Sequence, residues 1–191
     1  MTTFFTADLH LGHATLLTSA VARPRPFASI AKHDEALIVR WNETVRSNSD
    51  DVYVLGDFAL GLDADALERP FRRLRGRKHL IIGNHDPRRT LRLPWSSPPA
   101  DLRRIAVDAG GHRYDVTLCH YPMRAWNRIH HGALHLYGHT HGSLPGTRRS
   151  CDVGVDVWDF RPVTLDEVLD QMALSDTWPE ELAPAMAPGE A

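Results

Sequence analysis

Five short clusters of polar residues contain the side chains that could bind a pair of metal ions. In chain order they are Asp8-Leu9-His10, Gly56-Asp57, Gly83-Asn84-His85-Asp86, Cys119-His120 and Gly138-His139-Thr140-His141. Together they supply carboxylates, imidazoles and one amide, a ligand mixture that suits Mn²⁺, Fe, Co²⁺, Ni²⁺ or Zn²⁺. Two ions about 3.5–4 Å apart need a bridging group, and the two oxygens of a carboxylate provide one. The sequence therefore predicts a dinuclear metal site.

Each cluster directly follows a short apolar run that predicts a strand. The predicted strands cover residues 2–7, 51–55, 79–82, 113–119 and 134–137, with further strands over 104–108 and 153–157. Helical spacing predicts helices over residues 30–47 and 63–74, and a capping box of Thr164 and Glu167 begins a helix that ends near Leu174. In open α/β sheets, ligands bind at the carboxyl ends of strands. We therefore expect the five clusters to converge.

Length and composition predict a single folded domain. The chain has 191 residues, of which 42% are hydrophobic and 24% charged, and this is enough to bury one substantial core. We expect the domain to cover residues 1–174. Residues 175–191 are rich in Pro, Ala and Glu, and we expect them to form a disordered tail.

Charge and hydropathy favour a cytoplasmic protein that acts on small molecules. No apolar run approaches the roughly 18 residues that span a bilayer, and the first 13 residues lack the features of a signal peptide. The two cysteines form no C-x-x-C pattern, which fits a reducing compartment. A nucleic acid polymer is a disfavoured partner, because the net charge is −2 and no aromatic residues are interleaved in the arginine cluster Arg72, Arg73, Arg75 and Arg77.

The order of the five clusters resembles the calcineurin-like metallophosphoesterase superfamily. Its pattern is D-x-H, G-D, G-N-H-[DE], H and G-H-x-H, and every element stands unaltered here between Asp8 and His141. Residues 8–13, 25–27 and 120–122 are most similar to small bacterial and phage-borne members. The resemblance implies an α/β fold, a four-layer α-β-β-α sandwich in which two mixed sheets are flanked by helices.

The resemblance also implies which residues hold the metal ions. The first ion would be bound by Asp8, His10 and His141, the second by Asn84, His120 and His139, and Asp57 would bridge the two. Mn²⁺ is the expected metal, and Fe, Ni, Co or Zn are the alternatives.

Four residues are expected to act on the substrate. By resemblance, His85 would lie beside the substrate phosphate and protonate the leaving oxygen, and Asp86 would orient the His85 ring. Asn84 is expected to contact the substrate as well as a metal ion. His13 is expected to contact the substrate or a residue that supports the metal ligands, with packing of the turn as the alternative.

The implied activity is hydrolysis of small phosphodiesters, with cyclic or 2′,3′-cyclic nucleotides among the candidates, and of phosphomonoesters. The attacking group would be a hydroxide held between the two ions. A protein Ser/Thr phosphatase is disfavoured, because the family's phosphatases have Arg-Gly after the second block and Glu at the end of the third. In this chain, residues 58–61 (FALG) follow the second block, and the third block ends in Asp86. A nuclease-type member is the other enzymatic alternative, and such members usually carry additional domains. A metal-free interaction scaffold is the non-enzymatic alternative, although all seven ligands are present.

Overall fold

The computed structural model describes residues 1–18 and 24–183. The strands are β1 (Thr3–Thr6), β2 (Asp51–Leu55), β3 (Arg77–Ile81), β4 (Leu102–Ala109), β5 (His112–Cys119), β6 (Leu134–Tyr137), β7 (Ser150–Asp152) and β8 (Val163–Thr164). The α-helices are α1 (Ile30–Thr44), α2 (Ala64–Arg73), α3 (Arg88–Leu91) and α4 (Leu165–Ala173). Short 3₁₀ helices cover Ala14–Leu17, Ile129–His131, Val155–Val157 and Glu180–Leu182.

The strands form two mixed four-stranded sheets. The first sheet has the order β3-β2-β1-β8, in which β1, β2 and β3 are parallel and β8 is antiparallel to β1. The second has the order β4-β5-β6-β7, in which β5, β6 and β7 are parallel and β4 pairs with β5 as a hairpin. This arrangement confirms the predicted α/β class with two mixed sheets.

Alternation along the strands places apolar side chains on both faces of the first sheet. Phe4 packs with α1 and α2 on the outer face, where Trp41 and Phe71 are buried. Phe5 points the other way, into a cluster with residues of the second sheet such as Leu118 and with residues of α4. One core cluster therefore lies between the sheets, and a second lies between the first sheet and α1 and α2, which form the outer layer on one side.

The segment between β5 and β6, which includes the 3₁₀ helix Ile129–His131, packs on the outer face of the second sheet. Trp126 is buried with Ile129 and Ala133, and its ring lies 5.3 Å from that of His135 on β6. The indole Nε1 of Trp126 donates to the carbonyl of Ala133, so the segment is tied to itself as well as to the sheet.

Two local predictions differ from the structure. The predicted strand over residues 153–157 is wrong: β7 ends at Asp152, and Val155–Val157 forms a 3₁₀ helix. The chain turns because the Asp152 carboxylate accepts from the backbone N–H of Gly154 at 2.7 Å. The predicted helix over residues 30–47 ends at Thr44. The capping box of Thr164 and Glu167 at the start of α4 is confirmed.

The first part of the expected tail, which begins at residue 175, lies among the described residues. Residues 175–183 include the 3₁₀ helix Glu180–Leu182, and the Arg148 backbone N–H donates to the Thr177 carbonyl at 2.8 Å. Glu180 also pairs with Arg124. Residues 184–191 lie outside the described residues.

Candidate metal centre

The five polar clusters meet at the carboxyl ends of β1, β2, β3, β5 and β6, as predicted. Asp8, His10 and His141 form one group of possible metal ligands, whose ligand atoms lie within 4.8 Å of one another. Asp8 also forms a second such group with Asp57 and His120. Parallel strands place these side chains at one edge of the two sheets, although Asp8 and His141 are far apart in sequence.

The amide of Asn84 joins the remaining two histidines to the centre. Its Oδ1 lies 2.9 Å from Nε2 of His120 and 3.0 Å from Nδ1 of His139. Nε2 of His120 also lies 3.6 Å from Oδ2 of Asp57. All seven residues expected to hold metal are therefore close together.

Hydrogen bonds fix which ring nitrogens of two histidines face the centre. Nδ1 of His120 donates to the Leu55 carbonyl at 2.8 Å, which leaves Nε2 directed at Asn84 and Asp57. Nδ1 of His141 donates to the Asp156 carboxylate at 2.7 Å. A ligating histidine usually donates its other ring N–H to a carbonyl or carboxylate in this way, which fixes the tautomer.

Five of the seven residues adopt left-handed backbone conformations. The φ angles are 57° for Asp8, 49° for His10, 55° for Asp57, 71° for His139 and 48° for His141. Such angles are uncommon for residues with a Cβ and persist where the surrounding structure enforces them, often at functional sites. Backbone strain is thus concentrated on the residues whose side chains converge.

Two glycines of the clusters leave space that a side chain would fill. A Cβ on Gly56, whose φ is +88°, would collide with the ring of His120. A Cβ on Gly138 would lie 2.5 Å from Cβ of Ala7 and 2.7 Å from Oδ2 of Asp8. Both glycines therefore let neighbouring backbone approach the metal ligands.

The donor set fits bound cations better than it fits a metal-free core. Nε2 of His10 is buried without a hydrogen-bond partner in the described part of the chain, and it lies 3.4 Å from Oδ2 of Asp57. Burial lowers the pKa of His10 to about 2, so the ring is neutral and can donate a lone pair. Burial and the nearby carboxylates of Asp152 and Asp57 raise the pKa of Asp8 well above its usual value. A cation between these groups would satisfy the His10 nitrogen and stabilise the Asp8 carboxylate.

His85 lies at the exposed side of the centre, but Asp86 does not hold its ring as expected. The Asp86 carboxylate instead accepts from the backbone N–H groups of Gly83, Asp57 and Phe58 at 2.8–2.9 Å. Burial raises the pKa of Asp86 to about 6. The expected role of Asp86 is therefore corrected: it fixes the loop that carries Asp57, because a buried carboxylate takes the nearest unpaired amides. His85 itself donates its backbone N–H to Oδ1 of Asp57 at 2.8 Å.

His13 is half-buried between the metal ligands and His85. Its Nδ1 lies 3.2 Å from Nδ1 of His10, and its Nε2 lies 2.6 Å from Oγ1 of Thr15. Its ring centroid is 6.1 Å from that of His85. The structure thus places His13 beside the centre.

Three polar residues beside the centre were not predicted from the sequence. Asp152 accepts from Oγ1 of Thr140 at 2.6 Å, and Asp156 bonds to both His141 and Arg25. Although burial opposes it, hydrogen bonds from His141 and Arg25 lower the pKa of Asp156 to about 2. The run Asp-Val-Gly-Val-Asp over residues 152–156 begins at the last residue of β7, at the same end of the strand where the other clusters stand. This signal was missed because residues 153–157 were wrongly predicted to form a strand.

His135 is a buried histidine that supports the loop after His120. Its Nδ1 donates to the Thr117 carbonyl, and its Nε2 accepts from the Met123 backbone N–H, both at 3.1 Å. Both bonds require the neutral ring, and burial lowers the pKa of His135 to about 4. The unfolded chain has the ordinary pKa of about 6.5, so below that pH it binds the proton more readily than the folded protein does.

We therefore expect His135→Gln to weaken the acid sensitivity of the fold. The contribution of His135 to stability is present above about pH 6.5 and falls by up to about 3 kcal/mol as the pH drops to about 4. Chemical unfolding with a chelator present, at about pH 6.5 and at about pH 4, measures this, and His112→Gln, at an exposed position at the start of β5, is the control. An equal stability difference between wild type and His135→Gln at both pH values would contradict it.

Among the described residues, every helix is too short or too polar to cross a membrane.

Comparison with known proteins gives both relatives and a family. The chain is 36% identical to the Gene 66 protein of Mycobacterium phage D29, covering 86% of this chain and 92% of that protein. It is 31% identical to the Gene 66 protein of Mycobacterium phage L5, over 88% and 92% of the two chains. An uncharacterized protein of Methanocaldococcus jannaschii is 26% identical, over 87% and 88%.

The fold is also similar to a solved structure, that of a protein of unknown function from Aquifex aeolicus. The TM-score is 0.64 at 18% identity, and the match covers 87% of this chain and 97% of the other. A family model described as calcineurin-like phosphoesterase matches residues 1–143, which include all five clusters. This chain therefore belongs to the calcineurin-like phosphoesterase family.

Proposed function

We propose that this protein hydrolyses small phosphodiesters, and also phosphomonoesters, at a centre that holds two divalent transition-metal ions. The observation that carries the proposal is the convergence of seven oxygen and nitrogen donors at the ends of five strands. Five of the seven donor residues have a left-handed backbone, and the buried Nε2 of His10 is directed at this centre.

The donor set defines two ligand groups. The first ligand group is Asp8, His10 and His141, the second ligand group is Asn84, His120 and His139, and Asp57 lies between them. Carboxylate, amide and imidazole donors suit Mn²⁺, our first choice, and also Fe, Co²⁺, Ni²⁺ or Zn²⁺. When bound, two such ions supply positive charge for the phosphate oxygens and lower the pKa of a water molecule.

His85 is the residue we assign to proton transfer to the leaving oxygen. Its ring is exposed, and its centroid lies 5.5 Å from that of His10, so it borders the first ligand group without belonging to it. The bond from its backbone N–H to Asp57 holds the His85 backbone next to that carboxylate. A ring N–H can then donate its proton to an alkoxide or phenoxide as the phosphorus–oxygen bond breaks.

Asn84 and His13 are the residues we expect to orient the substrate. Oδ1 of Asn84 is directed at His120 and His139, so its amide nitrogen is the atom we expect to donate to a phosphate oxygen. His13 is half-buried beside His85, which places it within reach of the same phosphate.

The residues after Asp57 favour small phosphoesters over phosphoproteins. Phe58 is fully buried, and its backbone N–H is bonded to Asp86, so this position offers no side chain to a substrate. The family's protein phosphatases carry an arginine in this segment.

A substrate panel tests this proposal. We expect protein loaded with Mn²⁺ to hydrolyse bis-p-nitrophenyl phosphate, and 2′,3′-cyclic AMP more readily than a phosphoserine peptide. A preference for the phosphopeptide would favour the Ser/Thr phosphatase alternative. Inactivity on every ester with each of the five metals would favour the metal-free scaffold.

A further inference from the structure

Arg25 is a buried arginine outside the five clusters, and all five of its N–H donors have partners. It is only 3% exposed. Nε and one Nη2 proton bond to the two oxygens of Asp156 at 2.8 and 2.7 Å, and Nη2 also donates to the Asp8 carbonyl at 2.6 Å. Nη1 donates to the Leu9 carbonyl at 2.9 Å and to Nε2 of His33 at 2.8 Å. A guanidinium has five donors in a rigid fork, so this geometry satisfies the group completely.

Through its partners, Arg25 is connected to the loop that carries Asp8 and His10 and also to the side chain of His141. The carbonyls of Asp8 and Leu9 lie in the loop that also carries His10, and Asp8 and His10 have left-handed φ angles. The Asp156 oxygen that accepts from Arg25 Nη2 also accepts from Nδ1 of His141. One side chain thus links the loop of two ligands to the carboxylate that orients the third.

The same network continues to the far end of this loop. Because Nε2 of His33 accepts from Arg25, its Nδ1 carries the proton and donates to Asp34 at 2.8 Å. The Asp34 carboxylate accepts from the Gly12 backbone N–H at 3.0 Å. Residues 8–12 are therefore held at both ends by charged groups that bind no metal themselves.

We infer that Arg25 and Asp156, together called the Arg25 clamp, are positioning residues that set the geometry of the first ligand group. The inference rests on the proposed two-metal function. The clamp holds the strained loop and the His141 ring in one arrangement, so that Asp8, His10 and His141 reach a single ion without rearrangement. Groups that hold metal ligands in this way typically change metal affinity or activity 10–100-fold when removed.

The chain contains a matched control for the clamp. Asp51 accepts from Nε and Nη2 of Arg77 at 2.9 and 2.6 Å and from Nε2 of His79 at 2.9 Å. This is the same combination of arginine, aspartate and histidine. It lies at the opposite ends of the strands, since Asp51 begins β2 and Arg77 begins β3.

The test is calorimetric titration of metal-free protein with Mn²⁺. We expect Asp156→Asn to weaken the affinity of one of the two sites about 10–100-fold and leave the other within error. Asp51→Asn should leave both affinities at the wild-type values. Arg25→Lys keeps the positive charge but not the fork, so it should show a smaller loss at the same site. Circular dichroism with a chelator present establishes that each variant is folded.

Each outcome has a defined meaning. Unchanged affinities in both clamp variants, or equal losses at both sites, would overturn the inference. Loss of folding in both variants would also overturn it, because the clamp would then serve stability alone. Wild-type protein that binds no Mn²⁺ would instead contradict the proposed function, so the two failures are distinguishable.

Discussion

Asp57→Asn is expected to abolish turnover and to reduce metal binding. Oδ2 of Asp57 lies 3.4 Å from Nε2 of His10 and 3.6 Å from Nε2 of His120, which places this carboxylate between the two ligand groups. Asparagine keeps the volume and tolerates the left-handed backbone of this position, so the change removes charge with little added strain. We expect kcat to fall by more than the factor of about 10²–10³ that the loss of a single electrostatic donor costs.

The measurement combines bis-p-nitrophenyl phosphate hydrolysis with elemental analysis of bound metal. Asp51→Asn, at the opposite end of β2 from Asp57, is the control, and it should keep both rate and metal content. A variant at position 57 that retains two ions and the wild-type rate would show that Asp57 does not bridge them.

His85→Ala is expected to lower kcat in proportion to how poor the leaving group is, while the metal content stays constant. The backbone N–H that bonds to Asp57 remains in the variant, so the metal ligands keep their support. Without the ring, the leaving oxygen must depart unprotonated. This costs about 10²–10⁴-fold for an oxygen that needs a proton and far less for a stable anion.

Two phosphodiesters with similar shapes separate these cases. We expect a large loss for diphenyl phosphate and a small loss for bis-p-nitrophenyl phosphate, whose p-nitrophenolate leaves more easily. His112→Ala, an exposed histidine on the β4–β5 hairpin, provides the control. Equal losses with both esters would remove the proton-transfer role of His85.

The location of the centre could be predicted because its signal is local. An apolar run followed at once by Asp, Asn or His marks the end of a buried strand, and parallel strands bring such ends to one edge. This reasoning holds for β1, β2, β3, β5 and β6. It does not find β7, because Ser150–Asp152 has no apolar pattern, or β8, which has only two residues.

The groups that support the centre depend on contacts that no local pattern contains. Arg25 and Asp156 are 131 residues apart, and only the folded chain brings the guanidinium to the carboxylate. The role of Asp86 was wrongly predicted for a related reason. Its neighbour in sequence is His85, but in the folded chain its carboxylate accepts from the backbone N–H groups of Gly83, Asp57 and Phe58.

The left-handed conformations of the ligands are a further property that the sequence did not reveal. Aspartate and histidine adopt positive φ more often than most residues, but neither requires it. At Asp8, His10 and Asp57 tertiary hydrogen bonds accompany the conformation, such as those from the backbone N–H of Asp8 to the Gly56 carbonyl and from that of His10 to the Asp57 carbonyl.

The most direct test of the two-metal centre is a crystal structure of Mn²⁺-loaded protein with anomalous scattering recorded at the manganese edge. We predict two anomalous peaks about 3.5–4 Å apart, with the Asp57 carboxylate in contact with both. One peak should lie within the first ligand group and the other within the second. A single peak, or peaks that do not contact Asp57, would contradict the proposed centre.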